Sequence, residues 1–235
     1  MITPCWELPE GVKALITTCE GGLSVPPYRS NNLALHVGDS RTSVLQNRAV
    51  LLRRQSGIRA IQWLNQTHSD RIVTACSGAV IPEADGCFSS QAGMACAVLT
   101  ADCLPVLIAA KDGSQVAAVH AGWRGLAAGI ISNALRRFDS DVSVYLGPAI
   151  GPEHFEVGPE VRLAFSWASD QCFLPGRDDR LMANIYQLAR EQLSMQGVTD
   201  ITGGDFCTFT DTDRFYSYRR QAVTGRMASL IWIEK

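Results

Sequence analysis

Three residues carry the chemistry this sequence could do: His68, Cys103 and His120. Each lies in a short stretch built for a site rather than a core: Asn65-Gln66-Thr67-His68-Ser69-Asp70, Thr100-Ala101-Asp102-Cys103-Leu104-Pro105, and Val119-His120-Ala121-Gly122-Trp123-Arg124-Gly125. Two imidazoles and a thiolate form a three-ligand set suited to Zn²⁺, with a fourth position left for water or substrate, the pattern of catalytic zinc. The same atoms serve as a cysteine nucleophile, Cys103, with His120 as its base. Residue types alone leave both readings open.

Neighbouring residues add possible roles. Pro105 cannot donate to a sheet ladder, so the chain is expected to turn at Asp102-Cys103. Adjacent strand residues point to opposite faces, and only a real turn lets these two share a pocket. Asp102 then becomes a candidate proton shuttle or orienting group. Gly122 and Gly125 permit close backbone approach before a helix, and Arg124 could clamp phosphate or carboxylate. Ser30-Asn31-Asn32 could offer hydroxyl and amide donors to a substrate, or simply form a turn. His36 and His154 lack such surroundings and read as structural. Arg136-Arg137 read as a solvated face; Arg214, Arg219, Arg220 and Arg226 divide evenly between that reading and a role.

The elements that must position these residues follow from apolar periodicity. Helices are expected from about Ser40 to Arg54, Leu126 to Phe138, Glu160 to Ala168 and Met182 to Gln196. Strands are expected at Ile61–Leu64, Ala95–Leu99, Val106–Ala110, Val116–Val119 and Val142–Leu146. Three more are expected at Asp205–Thr210, Phe215–Tyr218 and Met227–Ile233. With no clean strand–helix–strand rhythm, the expectation is an α+β fold, a single domain over 1–235 with mixed sheets covered by helices.

The 235 residues, 46% hydrophobic and 19% charged, fit a compact soluble globule. A net charge of −2 gives no reason to expect a nucleic acid or an anionic membrane as partner. The stretch Gly93–Ala110 is nearly uncharged, but Asp102 and Pro105 near its middle argue against a membrane span. Eight irregularly spaced cysteines, with no signal-like start, read as reduced thiols in a cytoplasmic protein. The absence of any CxxC pair excludes a four-cysteine zinc knuckle.

Taken together, the segments resemble the YfiH-like laccase-domain family, also labelled multicopper polyphenol oxidase. The matching pieces include Ser30-Asn31-Asn32, Leu35-His36-Val37-Gly38-Asp39, Asn47-Arg48, Trp63 to His68, Ala84-Asp85-Gly86, Leu99 to Val106 and Val119 to Gly125. Leu146 to Gly151, Cys207-Thr208, Tyr216 to Arg220 and Thr224-Gly225-Arg226 complete them, in order along nearly the whole chain. Thr67 and Tyr216 stand where the family's usual motifs have valine and phenylalanine, and neither departure touches a proposed ligand.

The resemblance implies zinc held by His68, Cys103 and His120, with copper able to load such a site in vitro. It implies phosphorolysis of adenosine, inosine, guanosine and methylthioadenosine, and deamination of adenosine. Other family labels imply a copper-dependent polyphenol oxidase, or editing of a peptidoglycan precursor by an amidase. The fold has also been likened to that of cysteine hydrolases, which returns the Cys103/His120 pair. Under the nucleoside reading Asp102 is the candidate general acid/base. Arg48 or Arg124 would hold phosphate, and Ser30, Asn32 and Cys207 would be further substrate contacts. Multicopper oxidation demands many histidines, and this chain has four. Small-molecule substrates are the only partners expected; a monomer is the expected state, with a dimer left open.

Overall fold

Strands that are buried on both faces lose the alternation of polar and apolar residues, and three segments here are buried end to end: Met94–Thr100, Leu104–Ala110 and Val116–Ala121. They form the middle of the molecule. The computed structural model describes residues 1–78 and 81–234. In chain order the elements are β1 (Val12–Ile16), α1 (Arg41–Arg54), β2 (Ala60–Gln62), β3 (Ile72–Thr74), β4 (Gly86–Ser89), β5 (Met94–Thr100), β6 (Leu104–Ala110) and β7 (Val116–Ala121). There follow α2 (Trp123–Ala127), α3 (Ile130–Leu135), β8 (Val142–Leu146), β9 (Glu156–Val157), α4 (Pro159–Ala164), β10 (Phe173–Pro175), β11 (Leu181–Ala183), α5 (Ile185–Met195), β12 (Ile201–Gly203) and β13 (Met227–Ile233).

Two mixed sheets stack face to face. The larger runs β12-β8-β6-β7-β4-β3 and the smaller β1-β13-β5-β2, with a separate antiparallel ribbon β10-β11-β9. Within the larger sheet β12 lies parallel to β8 and β3 to β4; within the smaller, β2 lies parallel to β5. Leu107, Ala109 and Ala118 from one sheet meet Ala14, Ile16, Val98 and Ile231 from the other between them. On the far side of the larger sheet, Val106, Ile108 and Val144 pack on Ile130 and Ile131 of α3 and Leu188 and Leu193 of α5. On the far side of the smaller sheet, Ala97, Leu99 and Leu230 pack against Leu33 and Leu51, the latter on α1. The layers are therefore helix, sheet, sheet, helix, the expected α+β arrangement of mixed sheets covered by helices.

Several expected boundaries move. The helix expected from Leu126 to Phe138 is two short ones, because Gly129 takes φ +86° between them. The one expected from Met182 begins only at Ile185, capped by Asn184, whose side chain accepts from the Gln187 N–H; Leu181–Ala183 pairs as β11 instead. The fourth helix stops at Ala164 rather than Ala168. Neither Asp205–Thr210 nor Phe215–Tyr218 is a strand. Cys207 makes one isolated bridge to Ala149, and the chain then turns, with the Phe215 N–H bonded to the Asp211 carbonyl and the Gln221 N–H to that of Ser217. Tertiary packing around Phe215 and Tyr216 outweighs the local β preference there.

Candidate metal centre

Sheet register builds this site. The antiparallel pairing of β4 with β7 begins at Gly86 opposite Val119, so Asp85 falls beside His120. That of β6 with β7 ends at Leu104 opposite Ala121, so Cys103 falls beside Gly122. Cys103 lies in the corner where the chain leaves β5 of one sheet for β6 of the other, and the expected turn is real: Asp102 has φ +94°. His68, φ +60°, projects from the loop after β2. The ligand atoms of His68, Cys103 and His120 all lie within 4.8 Å of one another, and the two imidazole rings meet edge to face at 4.9 Å.

One carboxylate organises both histidines. Asp85 is fully buried and accepts five hydrogen bonds: from the backbone N–H groups of Thr67 (3.1 Å), His68 (3.0 Å) and Ser69 (2.7 Å), from the Ser69 hydroxyl (2.7 Å), and from His120 Nδ1 (2.7 Å). The His120 N–H in turn donates to the Asp85 carbonyl at 2.6 Å. With Nδ1 engaged, Nε2 of His120 is left to face Cys103. Burial raises the Asp85 carboxyl, but the hydrogen bonds from His120 and Ser69 outweigh it and hold the group well below the usual carboxylate range. The three-residue stretch Ala84-Asp85-Gly86 matched the family, yet nothing in its own composition marked Asp85 as the orienting group. The signal lies in the strand pairing.

Cys103 and His120 form a charge pair. Burial pushes the Cys103 thiol up, but the charge on His120 and hydrogen bonds from both histidines hold it at about 6. Burial pulls the His120 imidazole down, while the Cys103 charge and the Asp85 hydrogen bond hold it at about 9. In metal-free protein, carboxymethylation of Cys103, mapped by mass against the exposed Cys5 and Cys76, is therefore expected to rise through pH about 6 and stay level to about 9. Stoichiometric Zn²⁺ should suppress it. A rate still climbing through pH 8.5 would show that the pair is not formed.

The donor set fits a tetrahedral ion. Zinc held at about 2.3 Å from sulfur and 2.0–2.1 Å from nitrogen sets donors about 3.5 Å apart, inside the 4.8 Å that bounds their spacing here. The backbone makes room: a Cβ built on Gly122 would stand 3.1 Å from Cys103 Sγ and 3.2 Å from His68 Cδ2. Gly122→Ala is accordingly expected to push two ligands apart and weaken zinc binding about tenfold, read by chelator competition, with little change in melting temperature. Unchanged affinity would mean that the centre is looser than this geometry.

The centre opens into a cavity of about 570 Å³, a usual size for a small-molecule site. Its wall includes Asp102 and Arg124 from the expected set, and also Gln66, Phe155, Tyr218, Arg219 and Arg226. His36, read from sequence as structural, reaches this wall too; His154 instead stacks on Phe209 at 4.4 Å. The Asp102 carboxylate accepts from the Thr208 hydroxyl (2.6 Å) and the Arg219 N–H (2.6 Å), so it holds the opposite loop.

Four expected substrate contacts are not in the cavity wall. Ser30 Oγ accepts from the Gly21 N–H and donates to the Cys19 carbonyl, closing a turn. Asn32 is fully buried, donating to the Ala34 carbonyl and Asp39 and accepting from the Ala34 and Arg226 N–H groups. Arg48 lies over the Trp63 ring at 4.0 Å and donates to the Leu33 carbonyl. Cys207 Sγ accepts from the Gly151 N–H at 3.2 Å. Each of the four has at least one polar atom engaged by a backbone group of the loops.

A helix–sheet–sheet–helix fold with one His-Cys-His centre at the sheet junction defines the class. Residues 13–234 match the family described as multi-copper polyphenol oxidoreductase laccase, and the chain belongs to it. A relative from Pseudomonas aeruginosa named purine nucleoside phosphorylase is 47% identical over 99% of this chain and 98% of its own. The Escherichia coli purine nucleoside phosphorylase YfiH is 44% identical over the same shares. Among solved structures, a Neisseria meningitidis protein superposes with a TM-score of 0.95 at 41% identity, covering 100% of this chain and 99% of that one. YlmD from Geobacillus stearothermophilus gives 0.90 at 30%, covering 96% and 93%. Among the described residues no helix is long and apolar enough to cross a membrane.

Proposed function

We propose that this chain is a zinc-dependent purine nucleoside phosphorylase that also cleaves methylthioadenosine and deaminates adenosine. The observation that carries the reading is the convergence of His68, Cys103 and His120 on the wall of a cavity that also presents arginines and aromatic rings. The names of relatives 44–47% identical over nearly their full length support it.

His68, Cys103 and His120 would hold the ion, which when bound supplies a Lewis acid and a water acidified toward pH 7. The remaining groups bind and orient. Phe155 and Tyr218 line the same cavity as the proposed neighbours of a purine base, and its arginines are the proposed phosphate contacts. In phosphorolysis a phosphate oxygen bonds to the ribose C1′ as the C1′–N9 bond breaks, and the electron pair leaves with the base, which takes up a proton. Asp102 lines the same wall and is the proposed proton-transfer group, while its hydrogen bonds keep Arg219 at the rim.

The deciding experiment is inosine turnover with and without phosphate on metal-quantified protein. Phosphate-dependent base release that tracks zinc content supports the reading; no nucleoside turnover by zinc-loaded protein overturns it. The Cys103/His120 charge pair favours a second reading, a metal-independent amidase with Cys103 as nucleophile. That enzyme would keep its activity after chelation and lose it on alkylation. Multicopper oxidation is disfavoured, because among the described residues only one cluster of His and Cys donors forms.

A further inference from the structure

We propose that Arg226 is the anion anchor of the cavity, taking an oxyanion on its Nε and Nη2 edge, with Arg219 as a weaker second donor. This deepens the phosphorylase reading and rests on it for the identity of the anion as phosphate.

Three arginines line the cavity, and only Arg226 is partly buried; Arg124 and Arg219 stand exposed at the rim. Arg226 donates through Nη1 alone, to the carbonyls of Thr224 and Gly225 at 3.0 Å each. Arg219 likewise spends only Nη1, on the carbonyls of His154 and Glu156. Among the described residues neither guanidinium has a carboxylate partner. A partly desolvated cation with an unspent edge is costly unless something anionic completes it. A free guanidinium edge matches two oxygens of a phosphate or carboxylate.

Arg220, two residues from Tyr218, shows the contrast. Its Nη1 and Nη2 are both taken, by the carbonyls of Thr208, Phe209 and Phe215, and it straps the loop instead. Arg48 does not line the cavity; its Nε donates to the Leu33 carbonyl and its guanidinium lies over Trp63.

The position of Arg226 is fixed from behind. Pairing of β13 with β5 begins at Met227 opposite Thr100, so Arg226 falls beside Ala101 on the rim of the Asp102-Cys103 corner. Its N–H donates to the buried Asn32 Oδ1 at 3.0 Å. Asn47 Nδ2 on α1 holds the Asn32 carbonyl at 2.9 Å. Gly225 has no room for a side chain: a Cβ there would meet the Tyr216 ring at 2.6 Å and Asn32 Cβ at 2.9 Å. Asn32 is thereby a positioning residue for the anchor rather than a substrate contact.

The test is calorimetric titration of zinc-quantified, full-length protein with inorganic phosphate and no nucleoside. Arg226→Gln is expected to weaken phosphate binding about 10- to 100-fold, the loss of a bidentate charged contact. Arg226→Lys, which keeps the charge without the fork, should recover only part. Arg219→Gln should cost about threefold. In turnover, Arg226→Gln should raise the phosphate KM and leave the inosine KM within about threefold. Wild-type phosphate affinity in a folded, zinc-loaded Arg226→Gln overturns the proposal, as does wild-type protein that binds no phosphate. If Arg226→Gln does not fold, Arg226→Lys decides, and unchanged affinity there overturns it. Arg226-dependent phosphate binding by a protein that turns over no nucleoside would remove the phosphorylase reading and leave the anchor standing.

Discussion

Asp85→Asn is expected to weaken zinc binding about 10- to 100-fold and to destabilise the metal-free fold by about 3 kcal/mol. The carboxylate is fully buried and accepts from five donors. An amide of the same shape keeps one acceptor oxygen and turns its NH₂ toward N–H groups it cannot accept from. One half of the loss falls on the His68 loop, held by three backbone N–H groups, and the other on the ring of His120. Chelator competition reads the affinity, and urea melts of metal-free protein read the stability.

The pH dependence has a definite sign. Asp85 is held below its unfolded value near 3.9, so the stability it lends is complete above about pH 4 and lost as pH falls through the folded value. The gap between wild type and Asp85→Asn should therefore be full at pH 7 and shrink in acid. A gap that grew on acidification would assign the stabilisation to another group. Normal zinc affinity in the variant would show that the two histidines hold their places unaided.

Cys103→Ser carries the second large effect, because it separates ligand from nucleophile. A hydroxyl is a far poorer ligand than a thiolate for a borderline-soft ion. The purified variant is expected to hold below about 0.1 equivalent of zinc and to lose phosphate-dependent base release on the order of 10²- to 10³-fold. His120 should become easier to deprotonate at the same time, since the Cys103 charge that raises it is gone. Full zinc content with no turnover would instead move Cys103 from ligand to attacking group. Both changes test one pair of atoms, which sequence alone left open between two chemistries.

Much of this was legible in residue order. His68, Cys103 and His120 announce themselves because each follows or joins apolar strand segments and sits among turn-forming and polar residues, where side chains face a site rather than a core. The corner at Asp102 follows from Pro105, and the apolar runs of β5, β6 and β7 follow from burial on both faces. These signals are local, and local physics writes them into sequence.

Only the tertiary structure shows which of the polar residues line the cavity and which lie away from it. Ser30, Asn32, Arg48 and Cys207 have the right chemistry for substrate, yet backbone donors and acceptors of neighbouring loops take it up. Asp85 and Arg226 had no assigned role in the sequence, and antiparallel register sets one beside His120 and the other beside the Asp102-Cys103 corner. Register joins residues 35 and more than 100 positions apart. A hydrogen bond depends on geometry at ångström scale, and no spacing along a chain encodes which distant backbone group arrives first.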